Sequence, residues 1–336
     1  MALACNRRFR GLLTCVIAII TAGPGRGENE PPASADVASA RPGLLVRLPD
    51  GRGLNFRCSG HGRLTVLFES GFAGTSLAWS RVVEPVAIHH RACAYDRAGS
   101  GFSDEGPEPR DATAIARDLD QGLKAAGLTG PFILVAHSAG ALYARAFADL
   151  RPAMVSGMVL VDPSVEYQDV RLRSRFGDDA GSVAALRARA ARCLEAAQQG
   201  LLPSSEATLR ICTASSKPDQ SRTVRTARLA EALRPGVWRT QISELDNLWT
   251  RSSDEVAAGR RSYGAIPLVV LTAGGPLTGP ETDEQAAYLA YWASLHQELA
   301  ARSTRGVQQT VPGASHLMMI DRPDAIVEAI ERAASQ

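Results

Sequence analysis

Two textures alternate along the chain. Short runs of strand character recur at residues 64–68, 91–95, 132–135, 157–161, 266–271 and 306–312, and most are dominated by apolar residues. Their length fits buried strands better than helices, and turn-forming residues close them. Between them the spacing becomes helical. In 112–126, Ile115, Leu119 and Leu123 share one face, and Gly127 ends the pattern as a C-cap. Residues 281–302 form a long helical stretch carrying Tyr288, Tyr291 and Trp292, and 323–334 close the chain in the same way. Upstream, 43–48 and 54–58 flank the turn Pro49-Asp-Gly-Arg-Gly53, which predicts an antiparallel hairpin. Strands alternating with helices predict an α/β fold, a mostly parallel sheet with helices on both faces. From 165 to 263 strand-like runs cease and Ala, Arg, Leu and Glu dominate, so this segment reads as an inserted helical cap carrying Trp238, Leu245, Leu248 and Trp249. The core then comprises 43–164 and 264–336.

The first residues belong to neither texture. Arg7, Arg8 and Arg10 precede an apolar run over 11–23, right for a signal-peptide core and short for a membrane span. Residues 1–23 therefore read as a cleaved leader or an N-terminal anchor, and the polar, Pro- and Gly-rich 24–42 as a linker. Export to the periplasm or medium is expected, with membrane contact only through the N-terminal segment if it is retained. Composition adds exclusions: the net charge is +2, and the 37 basic residues are scattered without aromatic interleaving, so nucleic acid is not an expected partner. Of six cysteines, Cys5 and Cys15 fall in the leader. Cys58, Cys93, Cys193 and Cys212 show no metal-ligand spacing. In an exported protein a Cys193–Cys212 disulfide fits their common insertion, while four unpaired thiols fit the sequence as well.

Candidate chemistry centres on Ala136-His-Ser-Ala-Gly140, which follows the 132–135 strand and opens a helix. A serine raised on a sharp strand-to-helix turn needs small residues two positions before and after it, because the strained backbone brings those positions against neighbouring elements. A serine hydroxyl becomes nucleophilic when an imidazole accepts its proton, and the imidazole needs an acid to fix its tautomer. His316, in a loop after the last strand, supplies the base. His137 precedes the serine and reads as a shaping residue beneath the turn. His61, His89, His90 and His296 read as surface or packing residues. Asp96 and Arg97 read as organisers of the glycine turn 96–103, and Asp321 as the N-cap of the last helix with Asp324 in its first turn.

The ordered motifs Glu69-Ser-Gly-Phe72, Tyr95-Asp-Arg-Ala-Gly-Ser-Gly101, Ala136-His-Ser-Ala-Gly140 and Ser315-His-Leu-Met-Met-Ile-Asp321 resemble the α/β-hydrolase superfamily in its esterase-like branch. The resemblance implies Ser138 as nucleophile, His316 as general base, and the backbone N–H groups of Phe72 and Ala139 as the oxyanion hole. It leaves the acid open. Many relatives carry it just beyond the strand that is here 266–271, where the first carboxylates are Glu281 and Asp283. Others carry it at the end of the preceding strand, where Asp162 stands. A serine nucleophile excludes the carboxylate-nucleophile chemistry of haloalkane dehalogenases and epoxide hydrolases. The expected activity is hydrolysis of a small carboxylic ester without metal or organic cofactor. Alternatives are amide, thioester or carbon–carbon bond hydrolysis on the same scaffold, or a non-catalytic small-molecule receptor.

Overall fold

The computed structural model describes residues 41–178, 182–202, 211–213, 222–259, 262–275 and 282–335. The leader, most of the linker and Glu281 lie outside them. The hairpin forms as predicted from β1 (Leu44–Arg47) and β2 (Gly53–Ser59). It is followed by β3 (Thr65–Glu69), α1 (Ser80–Val86), β4 (Arg91–Tyr95), α2 (Ala112–Ala125), β5 (Phe132–His137), α3 (Gly140–Leu150) and β6 (Val155–Val161). The helices α4 (Gln168–Phe176), α5 (Ala184–Gln198), α6 (Arg222–Ala232), α7 (Pro235–Leu248) and α8 (Arg251–Ala258) come next. The chain then returns through β7 (Leu268–Ala273), α9 (Asp283–Ala300), β8 (Gly306–Val311), α10 (Met318–Asp321) and α11 (Pro323–Ala334).

The eight strands form one sheet in the order β1-β2-β4-β3-β5-β6-β7-β8. Only β2 runs against the other seven strands, so β1–β2 and β2–β4 are antiparallel and every pairing from β4 to β8 is parallel. Strand periodicity divides the apolar residues between two faces. Val66, Phe68, Ile133, Val135, Val159, Val161, Val269 and Leu271 line one face and pack with Val82 and Val86 of α1 and Ile326 and Ile330 of α11. The intervening Leu67, Leu134 and Leu160 are equally buried and face the other way, where α3 packs on β3, β5 and β6. Burying each such side chain contributes about 1.5–3 kcal/mol. A one-residue slip would turn every one of them to the wrong face, so this pattern fixes the register. That register aligns Glu69 with Ala136 and His137 with Val161, so the loops that follow β3, β5 and β6 leave the sheet side by side.

The chain forms two compact units. One comprises the sheet and its helices, residues 42–168 and 239–336. The other includes residues 169–238, with the boundary inside α7. Within this second unit a Cys193–Cys212 disulfide is formed, one of the two states the sequence left open, Arg189 donates to the carbonyl of Ile211 at 2.8 Å, and the Trp238 indole donates to the carbonyl of Ala232 at 2.8 Å. A second disulfide, unforeseen from the sequence, joins Cys58 to Cys93, register partners on the neighbouring strands β2 and β4. Among the described residues no helix is long and apolar enough to cross a membrane.

Candidate active site

β5 ends at His137, and the chain turns through Ser138 directly into α3. Ser138 takes φ +52°, a left-handed conformation that costs a non-glycine residue about 1–2 kcal/mol. Its surroundings hold it there. Its N–H donates to the Val161 carbonyl at 3.1 Å, and its carbonyl accepts from Ser164 N at 2.9 Å. The small flanking residues have identifiable causes. A Cβ on Gly140 would lie 2.5 Å from the Ser70 carbonyl oxygen and 2.9 Å from that of Glu69. Ala136 is fully buried in the strand and accommodates its methyl there. The loop after β3 approaches from the same side, since a Cβ on Gly71 would meet Ser138 Cβ at 3.1 Å.

His316 reaches this turn from the loop after β8. Its Nε2 lies 3.0 Å from Ser138 Oγ and its Nδ1 lies 2.6 Å from Asp162 Oδ2. Asp162 follows β6 directly, at φ +42°, with its N–H donating to the Leu271 carbonyl at 2.7 Å. Its second carboxylate oxygen accepts from Ala273 N at 3.0 Å and from the Trp292 indole at 2.8 Å. Burial alone would raise the Asp162 pKa. The hydrogen bond and charge of His316, together with the other donors, reverse this and hold the carboxyl well below the usual carboxylate range. Ser138, His316 and Asp162 thus come together. Asp283 begins α9 instead and belongs to the first turn that follows the Thr282 and Gln285 capping box.

Several residues make contacts around the site that the sequence did not announce. His137, expected beneath the elbow, lies beside His316, with ring centroids 4.6 Å apart and Nε2 2.7 Å from the His316 carbonyl oxygen. Since that partner only accepts, His137 donates from Nε2. Burial, and secondarily the neighbouring His316, push its pKa down to about 3, so it stays neutral. His296, read as a surface or packing residue, is a packing one: it is fully buried on α9, bonded to Thr272 Oγ1 at 2.7 Å and to the Pro163 carbonyl at 2.9 Å beside the end of β6. One helical turn separates it from Trp292, so one face of α9 carries both side chains that hold the Asp162–Pro163 corner. That spacing was the available sequence signal.

Asp96 organises the glycine turn after β4 as expected, whereas the Arg97 side chain, read as its partner in that turn, bonds instead to Glu69, Glu244 and the loop after β3. Asp96 accepts from Ser76 N at 2.8 Å, Phe102 N at 3.0 Å and Asn55 Nδ2 at 2.8 Å. Gly101 must be glycine there, at φ +52° with the Asp96 carboxylate 2.2 Å from where a Cβ would stand. Asp321 departs from its expected role. Arg322 is the N-cap of α11, and Asp321 instead accepts from the N–H of Ser315 at 3.0 Å and from its hydroxyl. It therefore closes the histidine loop, whereas Asp324 does lie in the first turn of α11.

The protein resembles several known ones. Bacillus subtilis YqjL is 32% identical over 106 residues, which cover 32% of this chain and 42% of YqjL, so less than half of that relative is spanned. Among solved structures, a thermophilic esterase from Thermogutta terrifontis superposes with a TM-score of 0.59 at 20% identity, covering 87% of this chain and 97% of that one. The epoxide hydrolase CorEH superposes with a TM-score of 0.63 at 15% identity, covering 87% and 98%. At such identities the likeness is one of fold. The model of the Alpha/beta hydrolase family matches residues 66–329, a span holding all eight residues from Glu69 through Phe72 and from Ala136 through Ala139 as well as Asp162 and His316, and the chain belongs to that family.

Proposed function

We propose that the protein is a serine hydrolase that cleaves a carboxylic ester through an acyl-serine intermediate. The observation that carries this reading is the unbroken hydrogen-bonded relay from Asp162 through His316 to Ser138, at 2.6 Å and 3.0 Å. Asp162 fixes the tautomer in which His316 Nδ1 bears the proton and Nε2 is free to accept one. His316 takes the Ser138 proton as Oγ attacks the ester carbonyl, then gives it to the departing alkoxide. Water attacks the acyl-enzyme with the same base, and the acid leaves. The tetrahedral oxyanion is received by the N–H groups of Ala139 and Phe72. Ala139 stands at the N-terminal end of α3, where the helix dipole favours negative charge. A serine at the elbow sets this chemistry apart from an epoxide hydrolase that forms its ester on aspartate, despite the shared fold.

We further propose that the protein is exported. Two disulfides in one chain suit an oxidising compartment, and the leader-like sequence of 1–23 agrees. The experiment that tests the activity is a panel of p-nitrophenyl esters of rising acyl length, assayed with the wild-type protein and Ser138→Ala. Turnover that falls to background in Ser138→Ala is the expected result. Turnover that survives the substitution, or none with any ester, would overturn the proposal.

A further inference from the structure

Arg97 lies outside the Ser138, His316 and Asp162 relay, yet it is fully buried and every one of its five N–H donors is engaged. Nη1 donates to Glu69 Oε1 at 2.7 Å and to the Ser70 carbonyl at 2.6 Å. Nη2 donates to the Gly71 carbonyl at 2.9 Å and to Glu244 Oε2 at 3.1 Å, and Nε donates to Glu244 Oε1 at 3.0 Å. Two consecutive backbone carbonyls of the loop after β3 therefore point at one guanidinium. Its fork is in turn fixed by carboxylates from β3 and α7, and its Cζ lies over the Tyr143 ring, 5.1 Å from the centroid. Glu69 is itself anchored by the Tyr95 hydroxyl.

The consequence follows from peptide geometry. In a planar trans peptide the C=O and N–H point in opposite directions. The Gly71 carbonyl and the Phe72 N–H belong to the same peptide unit. Drawing that carbonyl toward Arg97 turns the Phe72 N–H away from it. The loop meanwhile lies against the nucleophile, as the 3.1 Å between a Gly71 Cβ and Ser138 Cβ requires. We propose that Arg97 is the positioning residue of the oxyanion hole: by holding the Ser70 and Gly71 carbonyls it presets the Phe72 N–H for the developing charge. This rests on the serine-hydrolase reading given above. Preorganised donors are effective because they need no reorientation as charge develops. Gly74 N also donates to the Gly71 carbonyl, at 3.0 Å, so losing Arg97 loosens the peptide without freeing it.

A lysine has three donors on one atom and cannot reproduce the fork, so Arg97→Lys is the informative substitution. As a second variant, Arg97→Gln/Glu244→Gln removes one charge of each sign and leaves the net charge of the cluster unchanged, should the lysine variant fail to fold. The probes are a fluorophosphonate, whose phosphoryl oxygen becomes the oxyanion on phosphonylation, and p-nitrophenyl acetate. Wild type, Ser138→Ala and both variants would be compared across pH after active-site titration. The expected result is a fall in phosphonylation rate and kcat of at least about tenfold in each folded Arg97 variant, with KM within about threefold and the pH profile unmoved. A purely structural role would lower the titratable fraction and leave kcat per site intact. Labelled wild type with variants reacting within threefold of it would overturn the role of Arg97 alone. Wild type that is not labelled at Ser138 would overturn the hydrolase reading and this proposal with it.

Discussion

Asp162 Oδ2 lies 2.6 Å from His316 Nδ1, joining the end of β6 to the loop after β8. An amide at position 162 could donate to Nδ1 and favour the wrong imidazole tautomer. Asp162→Asn should therefore lower kcat by about 10³–10⁴ with little change in KM. Asp283→Asn, at the start of α9, should stay within about threefold. Steady-state kinetics of both variants on p-nitrophenyl acetate decides the matter, and a loss below tenfold in Asp162→Asn would remove it from the relay.

The Trp292 indole donates to the Asp162 carboxylate at 2.8 Å. Trp292→Phe retains most of the ring and removes the donor, so the carboxyl pKa should rise and kcat/KM should fall by about 3- to 30-fold. A kcat/KM indistinguishable from that of wild type would show that the indole only fills space.

The buried, neutral His137 makes folding sensitive to acid. Its folded pKa of about 3 lies below the unfolded value of about 6.5, so between those values the unfolded chain binds a proton that the folded chain refuses. Stability should fall as pH drops through this window, by up to about 5 kcal/mol at its acid end. The depressed carboxyl of Asp162 acts lower: its contribution is present above about pH 4 and is lost on further acidification. Denaturant titrations from pH 4 to 8 should show the slope, and His137→Asn should flatten it. An unchanged slope in His137→Asn would assign the effect to other groups.

Gly140→Ala places a methyl 2.5 Å from a backbone oxygen that cannot move without shifting the loop after β3. A cost of about 1–3 kcal/mol and a marked loss of activity are expected. Gly127→Ala, at φ +69° with no atom within 4 Å of its Cβ, should cost about 1 kcal/mol from backbone strain and leave activity intact. Equal effects of the two substitutions on activity would contradict the close approach of loop and elbow.

The eight strands were legible because the central ones are buried on both faces and their apolar runs stop at turn residues. Ser138 and His316 were legible because small neighbours and a strand-end loop leave local signatures. Which carboxylate meets His316 was not, since two strand ends offered carboxylates and only tertiary packing brings Asp162 within reach of His316. His296 and Arg97 show the same limit: their partners lie 24 and 133 positions away at His296, and up to 147 away at Arg97. The Cys58–Cys93 disulfide depends on β2 and β4 being neighbours, a pairing set by the order of the whole sheet.

The central claim is that Ser138 carries the acyl group during turnover. The most direct measurement is peptide mass spectrometry on enzyme quenched in acid during reaction with p-nitrophenyl acetate. The predicted result is an acetyl group on the Ser138 peptide, accumulating in Asp162→Asn if deacylation slows more than acylation, and absent from Ser138→Ala. Acetyl found elsewhere in an active enzyme, with Ser138 unmodified both there and after fluorophosphonate treatment, would contradict it.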